Sequence, residues 1–382
     1  MCTINQRKES MTQLGEGVNV SILSAGPEKS IIAEVIEIEF IDSFKASLTQ
    51  TAIAPPHWPA TQNSNNESSK PVVFKFDHPG TQKAKVKVKI TSKGYSGNGE
   101  FTGMLKGLEF IGIVPLTSGE HVVDVTLDEP PNNTAWFKGD IFWGVDATDI
   151  SLLAGQTHVE IFFVFDDPSK QQCFACDGVW VEALRFLFNN SGINGVNIVP
   201  DAVAQVTQCC FDIPNHKYET SRGAASYGGA TTVFHLNDYI DGSLGFVNCY
   251  DQTYAVIVFC AALGIQVDGL FLDPFGFIKR VNLVGWGPCN NPFPKNFPTA
   301  SYLIVAPRDP NRSAFGNHMF CENTAKIYDA CAGPAKGTSD RAGYITATID
   351  TIMPPLYARF RSGTSADVVS IASLGAAVNS VR

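Results

Sequence analysis

The stretch NCYDQTYAVIVFCAALGI, residues 248–265, decides the fold expected for this chain. Asn248 suits an N-cap, Asp251 suits the first turn, and Gly264 suits the residue that ends a helix. The sequence therefore predicts an apolar helix that begins at Cys249. A thiol in that position lies at the positive end of the helix dipole, which favours the nucleophilic thiolate.

A nucleophilic cysteine needs a base, and the base needs a group that orients it. A later part of the chain supplies both, because residues 316–322 and 325–329 read as two antiparallel strands joined by a two-residue turn at 323–324. This register places His318 opposite Asp329, within reach of a side-chain hydrogen bond. A slip by one residue would turn His318 to the other face of the hairpin. The two segments together predict a Cys-His-Asp triad.

At these residues the chain resembles the transglutaminase-like branch of the papain-like cysteine enzymes. In that family the nucleophilic cysteine begins the core helix, the histidine lies on a later strand, and the aspartate lies on the next strand. Residues 248–265 resemble the cysteine helix, and GNHMFCENTAKIYDACAGP, residues 316–334, resembles the two strands. The resemblance extends over about residues 170–335, with Phe320 where the family commonly has Trp.

The resemblance implies Cys249 as the nucleophile, His318 as the general base and acid, and Asp329 as the residue that orients the imidazole. It implies cysteine-dependent acyl transfer through a thioester, on a peptide, a protein or a small amide or ester. The acceptor would be water in a peptidase or amidase and an amine in a transferase. No cofactor and no metal ion are expected for this reaction.

Two further residues are candidates for binding the oxyanion or lining the cleft. Trp286 lies in a Gly- and Pro-rich segment, residues 283–294, and an indole N–H can donate to an oxyanion. Asn248, next to the nucleophile, is the second candidate. The backbone N–H of Cys249 is a more general donor, because the first N–H groups of a helix have no partner within the helix. A packing role for Trp286 remains an open alternative.

The first part of the chain has a different pattern, in which short alternating runs are separated by turn residues. KAKVKVKI, residues 83–90, and HVEIFFVF, residues 158–165, are examples. Such runs are typical of an antiparallel sandwich. We therefore predict an α+β protein in which an antiparallel β-sandwich domain, residues 1–166, precedes a papain-like, transglutaminase-like α+β domain, residues 167–382.

Several other segments carry secondary-structure predictions. Residues 178–190 have helical periodicity. Residues 299–307, 343–350 and 357–363 are strand candidates. Residues 46–70 are rich in Pro, Ser and Asn and read as a long surface loop.

Composition and charge exclude some classes of partner. The 382 residues include 28 Lys and Arg and 37 Asp and Glu, a net charge of −9. This balance argues against a nucleic-acid partner, because phosphate contacts need clustered basic residues. The sequence shows no signal peptide and no stretch long and apolar enough to cross a bilayer. We therefore expect a cytoplasmic protein without a membrane partner, whose ten cysteines are reduced thiols.

Two alternatives to a catalytic triad remain open. In the first, the β domain binds a partner and the papain-like part is a degenerate, non-catalytic scaffold. In the second, Cys173, Cys176, Cys209 and Cys210 hold a zinc ion, since the first pair has metal-ligand spacing. Unliganded buried thiols are the simpler explanation of these four residues. Cys173 and Cys176 also precede a helix, which makes them alternative candidates for the nucleophile.

Overall fold

The computed structural model describes residues 29–48, 51–52, 57–59, 71–228, 232–272, 276–294, 303–350, 352, 368–370 and 378–382. The chain separates into two compact units. The first takes in the chain up to Ala46 and again from Ile53 to Phe163. The second takes in Ser47–Ala52 and Val164–Arg382. The predicted domain boundary between residues 166 and 167 remains a prediction.

The first unit is built on a nine-stranded sheet. The strands up to residue 164 are β1 (Ser30–Phe40), β2 (Ala46–Leu48), β3 (Thr51–Ala52), β4 (His57–Pro59), β5 (Val72–Lys75), β6 (Lys83–Lys93), β7 (Asn98–Leu105), β8 (Leu108–Pro115), β9 (Gly119–Leu127), β10 (Ala135–Ala147) and β11 (Ile150–Val164). The sheet has the order β4-β1-β6-β9-β8-β7-β10-β11-β5, and its pairs from β4 to β11 are antiparallel. The antiparallel part of the prediction is confirmed, and the sandwich remains a prediction.

The strands of this sheet alternate between buried and more exposed side chains. In β6 the lysines are exposed or half-buried and the apolar residues between them are buried: Ala84, Val86, Val88 and Ile90. This alternation is expected for a strand with one face toward a core. The core is aromatic, with Phe101 stacked on Trp143 at a centroid distance of 5.2 Å. A Cβ at Gly103 would overlap the Trp143 ring, so this strand position requires glycine.

The second unit mixes helices with short strands, in agreement with the predicted class in outline. Its helices within the described residues are α1 (Val181–Asn190), α2 (Val199–Asp212), α3 (Leu236–Asp241), α4 (Cys249–Ala262) and α5 (Arg341–Thr348). Its remaining strands are β12 (Val179–Trp180), β13 (Lys217–Tyr218), β14 (Val233–Phe234), β15 (Phe246–Val247), β16 (Asp268–Leu272), β17 (Val281–Leu283), β18 (Gly287–Cys289), β19 (His318–Asn323), β20 (Lys326–Asp329), β21 (Ala335–Lys336), β22 (Val368–Ser370) and β23 (Ser380–Val381). The order β21-β20-β19-β16-β22 forms an antiparallel sheet.

The predicted helix α4 is confirmed, and it is the central helix of this unit. Nearly all of its side chains are buried, as expected for a helix that is apolar on every side. It packs against α1, α2, β16 and β19. Gly264 ends it with a φ of +75°, and a Cβ there would overlap the main chain of Asp166. Both constraints favour glycine at this position.

The strand predicted for residues 343–350 is wrong, because most of this segment belongs to helix α5. Asp340 caps that helix by accepting the N–H of Gly343 at 2.8 Å. The buried residues follow a helical spacing rather than strict alternation: Tyr344, Ile345 and Thr348. The β-branched residues favour a strand locally, but the cap and the tertiary contacts override that preference.

Of the other secondary-structure predictions, some are confirmed and some are wrong. The helix predicted for residues 178–190 is confirmed by α1. The predicted loop 46–70 contains three short strands, β2, β3 and β4, so it is not a continuous loop. The predicted strand 299–307 is irregular in its described part, residues 303–307, and segment 357–363 lies outside the described residues. Helices α2 and α3 had not been predicted.

In the described part of the chain, no helix combines the length and the apolar character needed to cross a bilayer.

Candidate active site

Cys249 is the first residue of α4, and its position follows from a capping box. The side chain of Asn248 accepts the N–H of Asp251 at 3.0 Å, and Asp251 in turn accepts the N–H of Asn248 at 3.1 Å. These reciprocal bonds satisfy donors that a helix start otherwise leaves without partners. The thiol is thereby held at the positive end of the helix, and Cys249 is buried, with 4% of its surface exposed.

Asp251 also organises a loop that lies earlier in the chain. Its carboxylate accepts the N–H groups of Ser226, Tyr227 and Gly228 at 2.8 to 2.9 Å. Burial raises the pKa of Asp251, and the N–H bonds to the carboxylate oppose that rise. The same carboxylate therefore holds both the helix start and the backbone of residues 226–228.

The hairpin that carries the histidine and the aspartate has a register different from the predicted one. Its turn residues are 324–325, with φ of 48° and 60°, and Asn323 pairs with Lys326. The predicted turn at 323–324 is therefore wrong, and the register differs by two residues. Because side chains alternate with a period of two, this shift keeps His318 and Asp329 on one face, now as diagonal neighbours.

His318 and Asp329 form a buried pair. Nε2 of His318 lies 2.9 Å from Oδ2 of Asp329, and both side chains are almost completely excluded from solvent. Burial by itself would lower the pKa of His318, but the charge and hydrogen bond of Asp329 raise it to about 10, with a further contribution from Cys249. Burial would raise the pKa of Asp329, but His318 and other hydrogen-bond donors lower it. The pair therefore favours imidazolium and carboxylate.

Cys249 completes the group. Cys249 is among the groups that raise the pKa of His318, so the thiol lies close to the imidazole. Nε2 of His318 faces Asp329, which leaves Nδ1 as the ring nitrogen for the thiol. The structure therefore brings together the three side chains that the sequence nominated. Such an arrangement can generate a thiolate and move a proton to or from it.

Asp329 has further donors that sequence analysis missed. The N–H groups of Cys331 and Ala332 donate to Oδ1 at 2.7 and 3.2 Å. The hydroxyl of Tyr344 donates to Oδ2 at 2.6 Å. Tyr344 was missed because its segment was predicted as a strand. Asp340 immediately before α5 is the helix-cap signal that could have identified it.

The two proposed oxyanion or cleft residues have other partners. The indole N–H of Trp286 donates to the carbonyl of Tyr218 at 2.9 Å. The side-chain amide of Asn248 donates to the carbonyl of Gly223 at 2.8 Å, while its oxygen serves the helix cap. Because both donors are already engaged, the structure does not support Trp286 or Asn248 as an oxyanion donor. Trp286 holds the backbone of Tyr218, and Asn248 holds Gly223 and the start of α4.

The four cysteines of the zinc alternative do not form a ligand cluster. Among the residues that the structure describes, no group of three or more His, Cys, Asp or Glu side chains could hold a metal ion. Cys209 and Cys210 are buried on α2, where burial raises the pKa of Cys209 to about 12. Cys173 and Cys176 precede α1 by several residues, because that helix begins at Val181. They consequently lack the helix-start position that favours Cys249 as the nucleophile.

Comparisons with solved structures find distant likeness in fold. No family model matches the chain, and no curated protein sequence matches it. Red sea bream transglutaminase aligns with a TM-score of 0.35 and 9% identity over 70% of this chain and 51% of that one. A candidate cysteine protease from Cytophaga hutchinsonii aligns with a TM-score of 0.21 and 11% identity over 92% and 90%. The chain thus spans about half the length of the sea bream enzyme, and likeness this weak carries no argument about the site.

Proposed function

We propose that this chain is a cysteine-dependent acyl-transfer enzyme in which Cys249, His318 and Asp329 act as a triad. The observation that carries the proposal is the buried 2.9 Å contact between His318 and Asp329, beside a cysteine at a helix start. A buried ion pair is weak support for stability, because desolvation offsets much of its attraction. Perturbed, paired groups next to a nucleophile are instead typical of active sites.

In the first half of the reaction, the thiolate of Cys249 attacks the carbonyl carbon of an amide or ester. A C–S bond forms, and the carbonyl electron pair moves onto the oxygen. As the intermediate collapses, His318 transfers its proton to the leaving nitrogen or oxygen, whose bond to carbon breaks. The product is a thioester on Cys249. Asp329 stabilises the imidazolium before this transfer and keeps the ring oriented.

In the second half, the neutral imidazole of His318 takes a proton from the acceptor while the acceptor attacks the thioester. The thiolate of Cys249 then leaves, and the imidazolium and thiolate are restored. Water as acceptor gives hydrolysis, whereas an amine gives a new amide. Both outcomes use the same three side chains, and the substrate is a peptide, a protein or a small amide or ester.

The order of the elements supports a papain-like, transglutaminase-like arrangement for residues 167–382. The helix that begins with Cys249 precedes the strand with His318, and the next strand ends at Asp329. The helix packs on the sheet that contains these strands. Antiparallel strands of the first unit fit the accompanying β-sandwich domain that we propose.

Acylation by p-nitrophenyl acetate tests this function directly. We expect a burst of p-nitrophenolate and an acetyl group on Cys249, identified by peptide mass spectrometry and removed by hydroxylamine. The Cys249→Ala variant should lose the burst, whereas Cys176→Ser, which changes an exposed cysteine outside the triad, should keep it. Adding a primary amine distinguishes transfer from hydrolysis by the appearance of an N-acetyl product. A folded wild-type protein that forms no acyl group on Cys249 would contradict the proposal.

A further inference from the structure

Tyr218 lies next to the segment that leads into Cys249. It belongs to β13, which runs parallel to β15, and it pairs there with Val247, two residues before the nucleophile. Its N–H donates to the carbonyl of Val284 at 3.0 Å, and its carbonyl accepts the indole N–H of Trp286 at 2.9 Å. Both polar backbone groups of Tyr218 are therefore held in place.

The side chain of Tyr218 is directed by aromatic packing. Its ring packs against those of Phe293 and Phe315, at centroid distances of 6.0 and 5.7 Å. Phe315 in turn lies 5.8 Å from the ring of His318. The ring of Tyr218 is therefore one aromatic layer away from the catalytic imidazole, with few alternative orientations open to it.

The hydroxyl of Tyr218 reaches the backbone beside the start of α4. It lies 3.2 Å from the position that a Cβ on Gly223 would occupy. The carbonyl of Gly223 accepts the side chain of Asn248, the residue that caps α4 immediately before Cys249. Gly223 has a φ of +67°, and a Cβ there would also press on Phe293. Glycine at this position therefore keeps open the space around the hydroxyl.

The hydroxyl of Tyr218 is a donor that no described residue engages. Tyr218 is 1% exposed, and none of the hydrogen bonds within the described residues involves its hydroxyl. Polar groups of largely buried residues usually have a hydrogen-bond partner, so an unused donor here fits a group that is bound during the reaction. Burial, and then the charge of Cys249, raise the pKa of Tyr218 well above its ordinary value. The group consequently stays protonated, and it is a donor near the thiol.

We propose that the hydroxyl of Tyr218 is a side-chain donor to the oxyanion, together with the backbone N–H of Cys249. When the thiolate forms its bond to the carbonyl carbon, the electron pair displaced onto oxygen accepts these two hydrogen bonds. When the pair returns, the leaving group departs with the proton of His318, and Tyr218 keeps its own proton throughout. Trp286 then positions the oxyanion donor indirectly, because its indole N–H holds the carbonyl of Tyr218. This inference rests on the proposed acyl-transfer function.

Two reactions of the Cys249 thiol distinguish an oxyanion donor from a residue that affects the thiolate itself. Acylation by p-nitrophenyl acetate passes through an oxyanion, whereas alkylation by iodoacetamide displaces iodide at a saturated carbon and forms none. In Tyr218→Phe, we expect the acylation rate constant to fall by about 10²- to 10³-fold, as for the loss of one oxyanion-hole donor. The alkylation rate constant should stay within about twofold, because it depends on the thiolate alone.

Tyr328→Phe is the matched control, since Tyr328 is also 1% exposed and lies outside the proposed oxyanion site; both of its rates should stay near the wild-type values. The Phe variant at position 218 should unfold at the same temperature as the wild type or higher, because it loses a hydroxyl without a partner. Equal losses of acylation and alkylation would overturn the proposal, since Tyr218 would then act on the thiolate.

The failure of this inference can be told apart from the failure of the proposed function. If wild-type Cys249 is not acylated at all, the acyl-transfer function fails, and the role of Tyr218 fails with it. If the wild type is acylated and Tyr218→Phe is acylated equally fast, only the role of Tyr218 is overturned.

Discussion

Tyr344 donates a hydrogen bond of 2.6 Å to Oδ2 of Asp329, the same oxygen that lies 2.9 Å from Nε2 of His318. Helix α5 is thus tied to the carboxylate of Asp329 by a buried hydroxyl. The helix is anchored to β19 as well, because Arg341 forms a two-pronged ion pair with Glu322 at 2.7 and 2.8 Å. Tyr344 therefore positions Asp329 in the proposed triad, although it does not contact the thiol in the proposed mechanism.

Tyr344→Phe should destabilise the protein at neutral pH and alter its behaviour in acid. Loss of a hydrogen bond to a charged group costs about 1.5–3 kcal/mol in unfolding free energy. Tyr344 helps to lower the pKa of Asp329, so without it that pKa should rise. A carboxylate with a lowered pKa stabilises the fold above its unfolded pKa and loses that contribution as the pH falls.

Urea unfolding of wild type and Tyr344→Phe between about pH 2 and pH 7 measures this effect. The acid loss should begin at a higher pH in the variant than in the wild type. Tyr328→Phe serves as the control for removing a tyrosine hydroxyl elsewhere in this unit. Identical pH profiles for wild type and Tyr344→Phe would show that the hydroxyl has no effect on the carboxylate.

Asp329→Asn should keep the fold and impair the chemistry. The amide has nearly the same shape, but it cannot balance the charge of the imidazolium or fix its tautomer. By analogy with other triads, acyl transfer should fall by about 10²- to 10⁴-fold. Alkylation of Cys249 should require a higher pH, because a less stabilised imidazolium stabilises the thiolate less. If the variant retains full activity and the wild-type alkylation profile, Asp329 is only a strand residue.

The pair of His318 and Asp329 should make stability depend on pH on the alkaline side. The pKa of His318 is raised from an ordinary value of 6.5 to about 10. A raised pKa contributes stability that is complete below 6.5 and is lost as the pH rises through about 10. The double variant His318→Gln/Asp329→Asn removes both charges without leaving one buried alone. Unfolding free energies from pH 6 to 10 should fall more steeply for the wild type, and parallel curves would contradict the pairing.

The nucleophile can be identified by the order in which the cysteines react. Cys176 is exposed, whereas Cys249 is buried. If access alone governed reactivity, Cys176 would be alkylated first. Because a thiolate reacts and a thiol does not, we expect iodoacetamide at about pH 6 to label Cys249 first. Preferential labelling of Cys176 at that pH would move the reactive site away from α4.

The sequence predicted the start of α4 and the shared face of His318 and Asp329 for local reasons. Asn248 and Asp251 cap the helix through bonds between residues three apart, and Gly264 ends it through its backbone conformation. The predicted register of the hairpin was wrong by two residues, but His318 and Asp329 still share a face because side chains alternate along a strand with a period of two. Patterns of this kind need no knowledge of distant residues.

Only the tertiary structure decided which residues surround the triad. Residues predicted as a strand form helix α5, because a cap and long-range contacts outweigh the strand propensity of the β-branched residues. In this helix Tyr344 donates its hydrogen bond to Asp329. Tyr218 lies beside the strand that leads into Cys249 because β13 pairs with β15, and Trp286 and Phe315 contact the residue there. By itself, the sequence determined the cap, the start of the helix at Cys249 and the face of the hairpin, because these depend on local spacing. The hydrogen-bond partners of the triad depend on segments that are distant in the chain, so folding alone assigns them.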